Sequence, residues 1–117
     1  MTPLYFVIVL ACVLAISSGQ ILFRKTGLQI EALGMFHPQT IAIALVAFAV
    51  YGVASLGWIF VLRKVPLSLA YPFVALSFVL VPLFSRYIFG EPLTMAYFAG
   101  AAFIVVGIGV ISLGAAA

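Results

Sequence analysis

The charged residues of this 117-residue chain lie between four long apolar runs or at the ends of those runs. The apolar runs are Pro3–Phe23, Pro38–Leu62, Leu67–Phe89 and Leu93–Leu113. The charged residues are Arg24, Lys25, Glu31, Arg63, Lys64, Arg86 and Glu91. About 20 apolar residues, each adding ~1.5 Å to a helix, cross the ~30 Å hydrocarbon core of a bilayer. The sequence therefore predicts an all-α membrane protein in which residues 1–117 form one domain of four transmembrane helices.

Composition excludes several other classes of protein. Hydrophobic residues make up 68% of the chain and charged residues 6%, whereas soluble domains contain about 25% charged residues. The net charge of +3 is too small and too scattered for a nucleic-acid-binding surface. It suits the basic collars that hold helix ends near lipid phosphates. The first run has no basic residue before it, so we expect a retained membrane helix rather than a cleaved signal peptide.

The residues that carry chemistry in enzymes are almost absent. His37 is the only histidine and Cys12 the only cysteine. The sequence contains no Ser/His/Asp set, no carboxylate pair in one span and no Gly-rich phosphate loop. We therefore predict no enzymatic activity, no metal site and no cofactor.

Short connections are expected, so that helices adjacent in sequence run antiparallel. The predicted connections are Arg24–His37, Arg63–Pro66 and Phe89–Pro92. In the last of these, Gly90 is predicted to end the third helix and Pro92 to open the fourth. Glu91 would then lie near the positive end of the fourth helix dipole, a structural alternative to a role in ligand binding.

Basic residues are divided almost evenly between the two membrane sides. One side holds Arg24, Lys25 and Arg86, and the other holds Arg63 and Lys64. Such a division gives little preference for one orientation. It is typical of a subunit that inserts both ways, and chance also produces it in a chain with few charges. For Arg86, Arg63 and Lys64, anchoring at the membrane interface is the structural alternative to a role in ligand binding.

Polar side chains form a stripe on the first helix. Ser17, Gln20 and Arg24 stand at positions i, i+3 and i+7 and share one face. An amide and a guanidinium are costly when they face lipid, so this stripe is expected to face a partner helix or a wet cavity. The stripe predicts a polar ligand-binding face.

The second and third helices carry further polar and aromatic candidates. Tyr51, Ser55 and Trp58 make a similar stripe on the second helix, where interfacial anchoring is an equally good explanation of the two aromatic residues. Tyr71 and Ser77 interrupt the third apolar run. These positions favour hydrogen bonding to a polar group within the membrane.

The third predicted helix contains two prolines, and the fourth contains a row of small residues. Pro72 and Pro82 remove backbone donors from the third helix and permit kinks. The fourth helix has small residues on nearly one face, which lets membrane helices approach closely, within the bundle or between subunits. These small residues are Ala96, Gly100, Gly107 and Gly114.

Three stretches of sequence, together with the four-helix size, resemble a known family. They are Gly19-Gln20 followed by Arg24-Lys25, the segment Val65-Pro66-Leu67-Ser68-Leu69-Ala70-Tyr71-Pro72, and Gly90-Glu91-Pro92. Over essentially the whole chain, these features resemble the small four-helix branch of the drug/metabolite transporter superfamily. The resemblance implies a four-helix bundle of the small multidrug resistance type that works as a dimer.

Two groups of that branch differ at one position. Small multidrug resistance transporters carry a glutamate in the middle of the first helix, which binds protons and cationic substrates in turn. The equivalent stretch here is Leu14-Ala15-Ile16-Ser17-Ser18, and the apolar runs contain no acid. The Gly19-Gln20 pair, Trp58 and the Val65–Pro72 segment are more similar to the small subunits of the aminoarabinose-phosphoundecaprenol flippase.

This resemblance implies a multi-pass transporter of the bacterial inner membrane. Its substrate would be a monosaccharide linked to a polyprenyl phosphate such as undecaprenyl phosphate, and its partner an identical inverted subunit or a related four-helix chain. The residues expected to bind substrate are Ser17, Gln20, Arg24, Lys25, Tyr51, Trp58, Tyr71, Ser77 and Glu91. Two alternatives remain open: a proton-coupled exporter of drugs or small metabolites, and a non-transporting membrane partner of a glycosyltransferase.

Overall fold

The computed structural model describes residues 2–116 and assigns most of them to five helices. These are α1 (Pro3–Leu33), α2 (Pro38–Leu62), α3 (Leu67–Val74), α4 (Ser77–Phe89) and α5 (Met95–Ala116). The helices α3 and α4 together form one apolar segment, Leu67–Phe89, called the third span below. Four segments are thus long and apolar enough to cross a membrane, which confirms the predicted fold class.

The first helix is longer than its apolar run. It begins at Pro3, where the Thr2 hydroxyl accepts a hydrogen bond from the Tyr5 amide, and it continues to Leu33. The predicted connection from Arg24 onward was therefore wrong, because the link is only residues 34–37. The segment after Phe23 is rich in helix-forming Arg, Lys, Gln, Glu, Ala and Leu, which offset the ~1 kcal/mol cost of one glycine. At 31 residues, α1 is about 46 Å long and extends beyond a ~30 Å hydrocarbon core.

Glycines allow α1 and α2 to pack closely as antiparallel neighbours. A methyl group on Gly57 would lie 3.0 Å from the Cys12 sulfur, and one on Gly19 would lie 3.2 Å from Cδ2 of Tyr51. The Tyr51 ring also contacts the Phe23 ring, with the centroids 5.7 Å apart. This packing fixes Tyr51 against α1.

The third span is interrupted between its two prolines. The amides of Ala75 and Leu76 donate to the carbonyls of Pro72 and Phe73, three residues back, at 3.0 and 3.1 Å. These tighter bonds replace the regular α-helical pattern at this point. The kinks predicted from Pro72 and Pro82 therefore take the form of one break, and α3 and α4 pack as separate elements.

The connection between α4 and α5 confirms one expectation and corrects another. Gly90 ends α4 in the left-handed region (φ 70°), and its amide donates to the Arg86 carbonyl at 3.1 Å. However, α5 begins at Met95 rather than Pro92, because the Thr94 hydroxyl accepts a hydrogen bond from the Tyr97 amide at 3.2 Å. A hydroxyl satisfies a free amide at a helix start, which proline at that place does not. Glu91 therefore does not lie directly before the first helical residue, as predicted, because Pro92, Leu93 and Thr94 separate it from Met95.

The last helix packs lightly on the rest of the chain. Ile108 of α5 joins the core formed by valines of α1 and α2 and by Phe73 of α3, and the Tyr97 hydroxyl donates to the Val79 carbonyl. In contrast, a methyl group placed on Gly100 or Gly107 would meet no atom within 4 Å. The small-residue face of α5 is therefore open within one subunit.

Candidate functional site

A cleft lies between α1, α2 and the third span at the level of the break. It consists of two adjoining cavities of about 400 and 200 Å³ that share Ile16, Tyr51 and Val74. We call this the polar cleft. Its lining residues are Ile16, Gln20, Tyr51, Ser55, Trp58, Tyr71, Val74, Ser77, Phe78, Val81 and Pro82.

The polar cleft brings together most of the membrane-embedded residues that the sequence nominated. These are Gln20, Tyr51, Trp58, Tyr71 and Ser77. Gln20 comes from α1, and Tyr51 and Trp58 come from α2. The third span contributes one residue on each side of its break, Tyr71 from α3 and Ser77 from α4. An amide, hydroxyls and aromatic rings thus converge within a mostly apolar wall, which is the usual composition of a small-molecule pocket.

Ser17 and Lys25 are not part of this cleft. Ser17 is fully buried, and its hydroxyl donates to the Val13 carbonyl at 2.8 Å, so the group is already satisfied. Lys25 is exposed near the end of the apolar part of α1. Ser55, which sequence reasoning left out of the candidate set, does line the cleft, and its position on the Tyr51–Trp58 stripe was the available signal.

Neither acid of the chain reaches the polar cleft. Glu31 lies on α1 beyond Arg24, and Glu91 lies after α4. The cleft walls therefore supply donors, acceptors and ring faces but no carboxylate. Among the described residues, no group of three or more acids, histidines and cysteines stands close enough to hold a metal ion.

One ion pair stands at the end of the cleft. Arg24 follows Gln20 by about one helical turn, and its Nε–H donates to Oε1 of Glu91 at 2.9 Å. The two side chains are 54% and 40% exposed in the isolated chain. Hydrogen bonds from the Ser85 hydroxyl and from Arg24 hold the pKa of the Glu91 carboxyl below its usual value of 4.5. The carboxylate is therefore charged at neutral pH.

A second, apolar groove lies between α1 and α4. It measures about 270 Å³ and is lined by Ser18, Ile21, Leu22, Phe84 and Ile88. The Ser18 hydroxyl donates to the Leu14 carbonyl at 2.9 Å, so it does not offer a free donor to the groove. This surface suits a hydrocarbon chain rather than a polar group.

Comparison with known proteins identifies close relatives with one name, "Probable 4-amino-4-deoxy-L-arabinose-phosphoundecaprenol flippase subunit ArnE". The protein of Enterobacter sp. (strain 638) is 46% identical over 66 residues, which are 56% of this chain and 60% of the relative. The protein of Serratia proteamaculans is 43% identical over 57% of this chain and 58% of its own length. These two alignments thus span less than two thirds of the length of each relative.

A third comparison extends over nearly the whole chain. The relative of the same name from Pectobacterium atrosepticum is 32% identical over 106 residues, 89% of this chain and 93% of its own length. No family model and no solved structure matches the chain. With four membrane-spanning segments and such relatives, it is a multi-pass protein of the bacterial inner membrane. The length and identity of the third alignment show that the chain belongs to the ArnE family of flippase subunits.

Proposed function

We propose that the chain is a subunit of a flippase that moves a monosaccharide linked to a polyprenyl phosphate across the inner membrane. The observation that carries this proposal is the polar cleft itself, which opens within the membrane-spanning part of the chain and ends one turn from Arg24. The substrate named for the relatives joins an amino sugar, a phosphate and an undecaprenyl chain. These three parts have different chemistry, and each has a matching surface here.

The sugar fits the polar cleft. The larger cavity, about 400 Å³, falls within the ~300–1,000 Å³ of typical ligand pockets. Gln20 and Ser77 supply hydrogen-bonding groups for sugar hydroxyls, and Trp58 and Tyr71 add aromatic rings on which the pyranose can stack. A protonated amine on such a sugar would also be attracted to these ring faces, which replace an acid as the counter-group.

The phosphate and the tail fit the surfaces beside the cleft. Arg24 lies about 6 Å along α1 from Gln20, and Lys25 adds a second cation at the same level. Guanidinium groups bind phosphate through charge-assisted hydrogen bonds. The apolar groove with Ile21 and Leu22 begins next to these cations, so the polyprenyl chain can follow it into the lipid.

A second subunit completes the proposed transporter. Within one chain the glycine face of α5 has no neighbour at Gly100 or Gly107, as described above. We propose that an identical chain or a related four-helix chain packs there, since small residues let membrane helices approach closely. The word subunit in the relatives' name supports an assembly of this kind.

Binding measurements test the proposal directly. The purified protein in lipid nanodiscs is titrated with undecaprenyl-phosphate-linked 4-amino-4-deoxy-L-arabinose, and the fluorescence of Trp58, the only tryptophan, reports cleft occupancy. Gln20→Ala removes an amide from the cleft and should weaken binding about fivefold, corresponding to the ~1 kcal/mol of a typical hydrogen bond. Gln39→Ala removes the same amide from an exposed position at the start of α2, outside both the cleft and the apolar groove, so it is the matched control and should leave the affinity unchanged.

Two results would contradict the proposed function. Equal affinities for the parent protein and Gln20→Ala would contradict the proposal that the sugar binds in the cleft. Tight binding of quaternary ammonium compounds with release of protons, and none of the lipid-linked sugar, would instead indicate a proton-coupled exporter.

A further inference from the structure

The ion pair at the end of the polar cleft joins parts of the chain that are far apart in sequence. Arg24 belongs to α1, and Glu91 belongs to the connection between α4 and α5. Their contact, 2.9 Å between Nε and Oε1, is an ion pair that bridges α1 and this connection. When no ligand is bound, the cation nearest the cleft therefore already has an anionic partner.

A carboxylate and a phosphate are interchangeable partners for a guanidinium. Both present oxygens that accept charge-assisted hydrogen bonds from its planar set of N–H groups. In the structure only the Nε–H of Arg24 donates to Glu91. A phosphate that approached the terminal nitrogens would share the guanidinium with a carboxylate of its own sign, and like charges within a few ångströms repel.

A carrier also has a reason to limit its affinity for the lipid phosphate. Transport requires binding strong enough to admit the ligand and weak enough to release it. Arg24 together with Lys25 and Arg86, the three cations at this end of the spans, would hold a phosphate strongly if nothing opposed them. Glu91 is the acid placed to oppose them.

We propose that Glu91 is a residue of the phosphate site that acts as an internal competitor. It occupies Arg24 when the site is empty and lowers the affinity for the lipid phosphate when the site fills. Arrival of the phosphate also weakens the contact that joins the α4–α5 connection to α1. This inference rests on the proposed function, because it assumes that a polyprenyl phosphate binds next to the cleft.

The test measures the dissociation constant of undecaprenyl phosphate for the full chain in nanodiscs, with undecaprenol as the neutral reference. Glu91→Gln keeps the size of the side chain and removes its charge. It should tighten binding of undecaprenyl phosphate about two- to fivefold, the range expected from a partly exposed ion pair, and leave undecaprenol unaffected. Glu91→Asp withdraws the carboxylate by one methylene and should act in the same direction with a smaller effect.

Two further variants separate competition for Arg24 from a general change in charge. Glu31→Gln makes the same change on α1 about 10 Å from Arg24, a distance at which salt screens most of the interaction, and should leave the affinity unchanged. Arg24→Ala should weaken binding of undecaprenyl phosphate. In that background Glu91→Gln should give a smaller gain than in the parent, since no guanidinium remains to compete for.

The possible outcomes distinguish the two proposals. If undecaprenyl phosphate binds no better than undecaprenol to any variant, both the proposed function and this inference fail. If undecaprenyl phosphate binds specifically but Glu91→Gln leaves its affinity unchanged or weakens it, only the inference is overturned. Equal gains from Glu91→Gln and Glu31→Gln, or equal gains with and without Arg24, would likewise overturn it.

Discussion

Replacing Gly19 with alanine tests whether the contact between α1 and α2 sets the shape of the polar cleft. Its missing side chain allows the Tyr51 ring to lie directly against α1, and a methyl group there would stand 3.2 Å from Cδ2 and 3.8 Å from Cβ of Tyr51. The ring cannot simply rotate away, because it also contacts the ring of Phe23. Gly19→Ala should therefore displace Tyr51 by a few tenths of an ångström into the cleft.

The magnitude follows from two opposing terms. Alanine in place of a helical glycine stabilises a helix by about 0.8–1.0 kcal/mol. Overpacking a tight contact costs about 1–3 kcal/mol. Gly19→Ala should accordingly lower the free energy of unfolding by about 0–2 kcal/mol. Gly27→Ala, on the same helix with no atom within 4 Å of the new methyl, should raise it by up to ~1 kcal/mol.

The assay is reversible unfolding in mixed detergent micelles, followed by helical circular dichroism, with binding of the lipid-linked sugar measured beside it. The two glycine variants should differ by about 1–3 kcal/mol in unfolding free energy, and only Gly19→Ala should weaken ligand binding. Equal stabilisation by both substitutions, with unchanged binding, would refute the argument that Gly19 positions Tyr51.

The remaining predictions concern assembly and pH. Gly107→Leu adds a side chain where one subunit has open space, so it should loosen or dissociate the oligomer in detergent without unfolding the subunit, as measured by light scattering. Val105→Leu, on the opposite face of α5, is its control, and an unchanged oligomer in both would place the glycine face against lipid. Because the pKa of Glu91 is lower in the folded chain, its ion pair stabilises the fold above pH ~4.5 and is lost as the pH falls below that value. Acid titration should therefore destabilise the parent protein more than Glu91→Gln, and identical acid profiles would contradict this.

The helices were predictable because the bilayer imposes their length. Apolar runs such as Pro38–Leu62 coincide with the helix that forms, since the solvent requires every backbone group within it to be paired. That rule ends at the membrane surface. Beyond Phe23 the chain leaves the apolar run, and ordinary helix propensity determines whether the helix continues. The charged residues at the end of an apolar run therefore do not mark the end of the helix.

The polar cleft was partly predictable for a similar reason. Polar groups such as Gln20 and Ser77 are costly in lipid, so their presence in apolar runs already pointed inward. What the sequence lacked was the relation between distant segments. Nothing local to Glu91 indicates that it contacts Arg24 rather than the start of α5, and the hydroxyl cap at Thr94 that moves this start is a contact of one side chain. The place of a residue along a helix can be inferred from the sequence pattern, whereas contacts between side chains of different helices depend on how the helices pack.

The proline inside α4 has a consequence for how ligand recognition can change through mutation. Pro82 has no N–H to offer the carbonyl of Phe78, and Phe78 lines the polar cleft. A sugar hydroxyl that binds this oxygen would depend on the main chain, which is the same whatever side chain residue 78 carries. Substitutions around the cleft would then adjust which sugar fits, while this acceptor persisted through all of them. Its persistence depends on the proline four residues later.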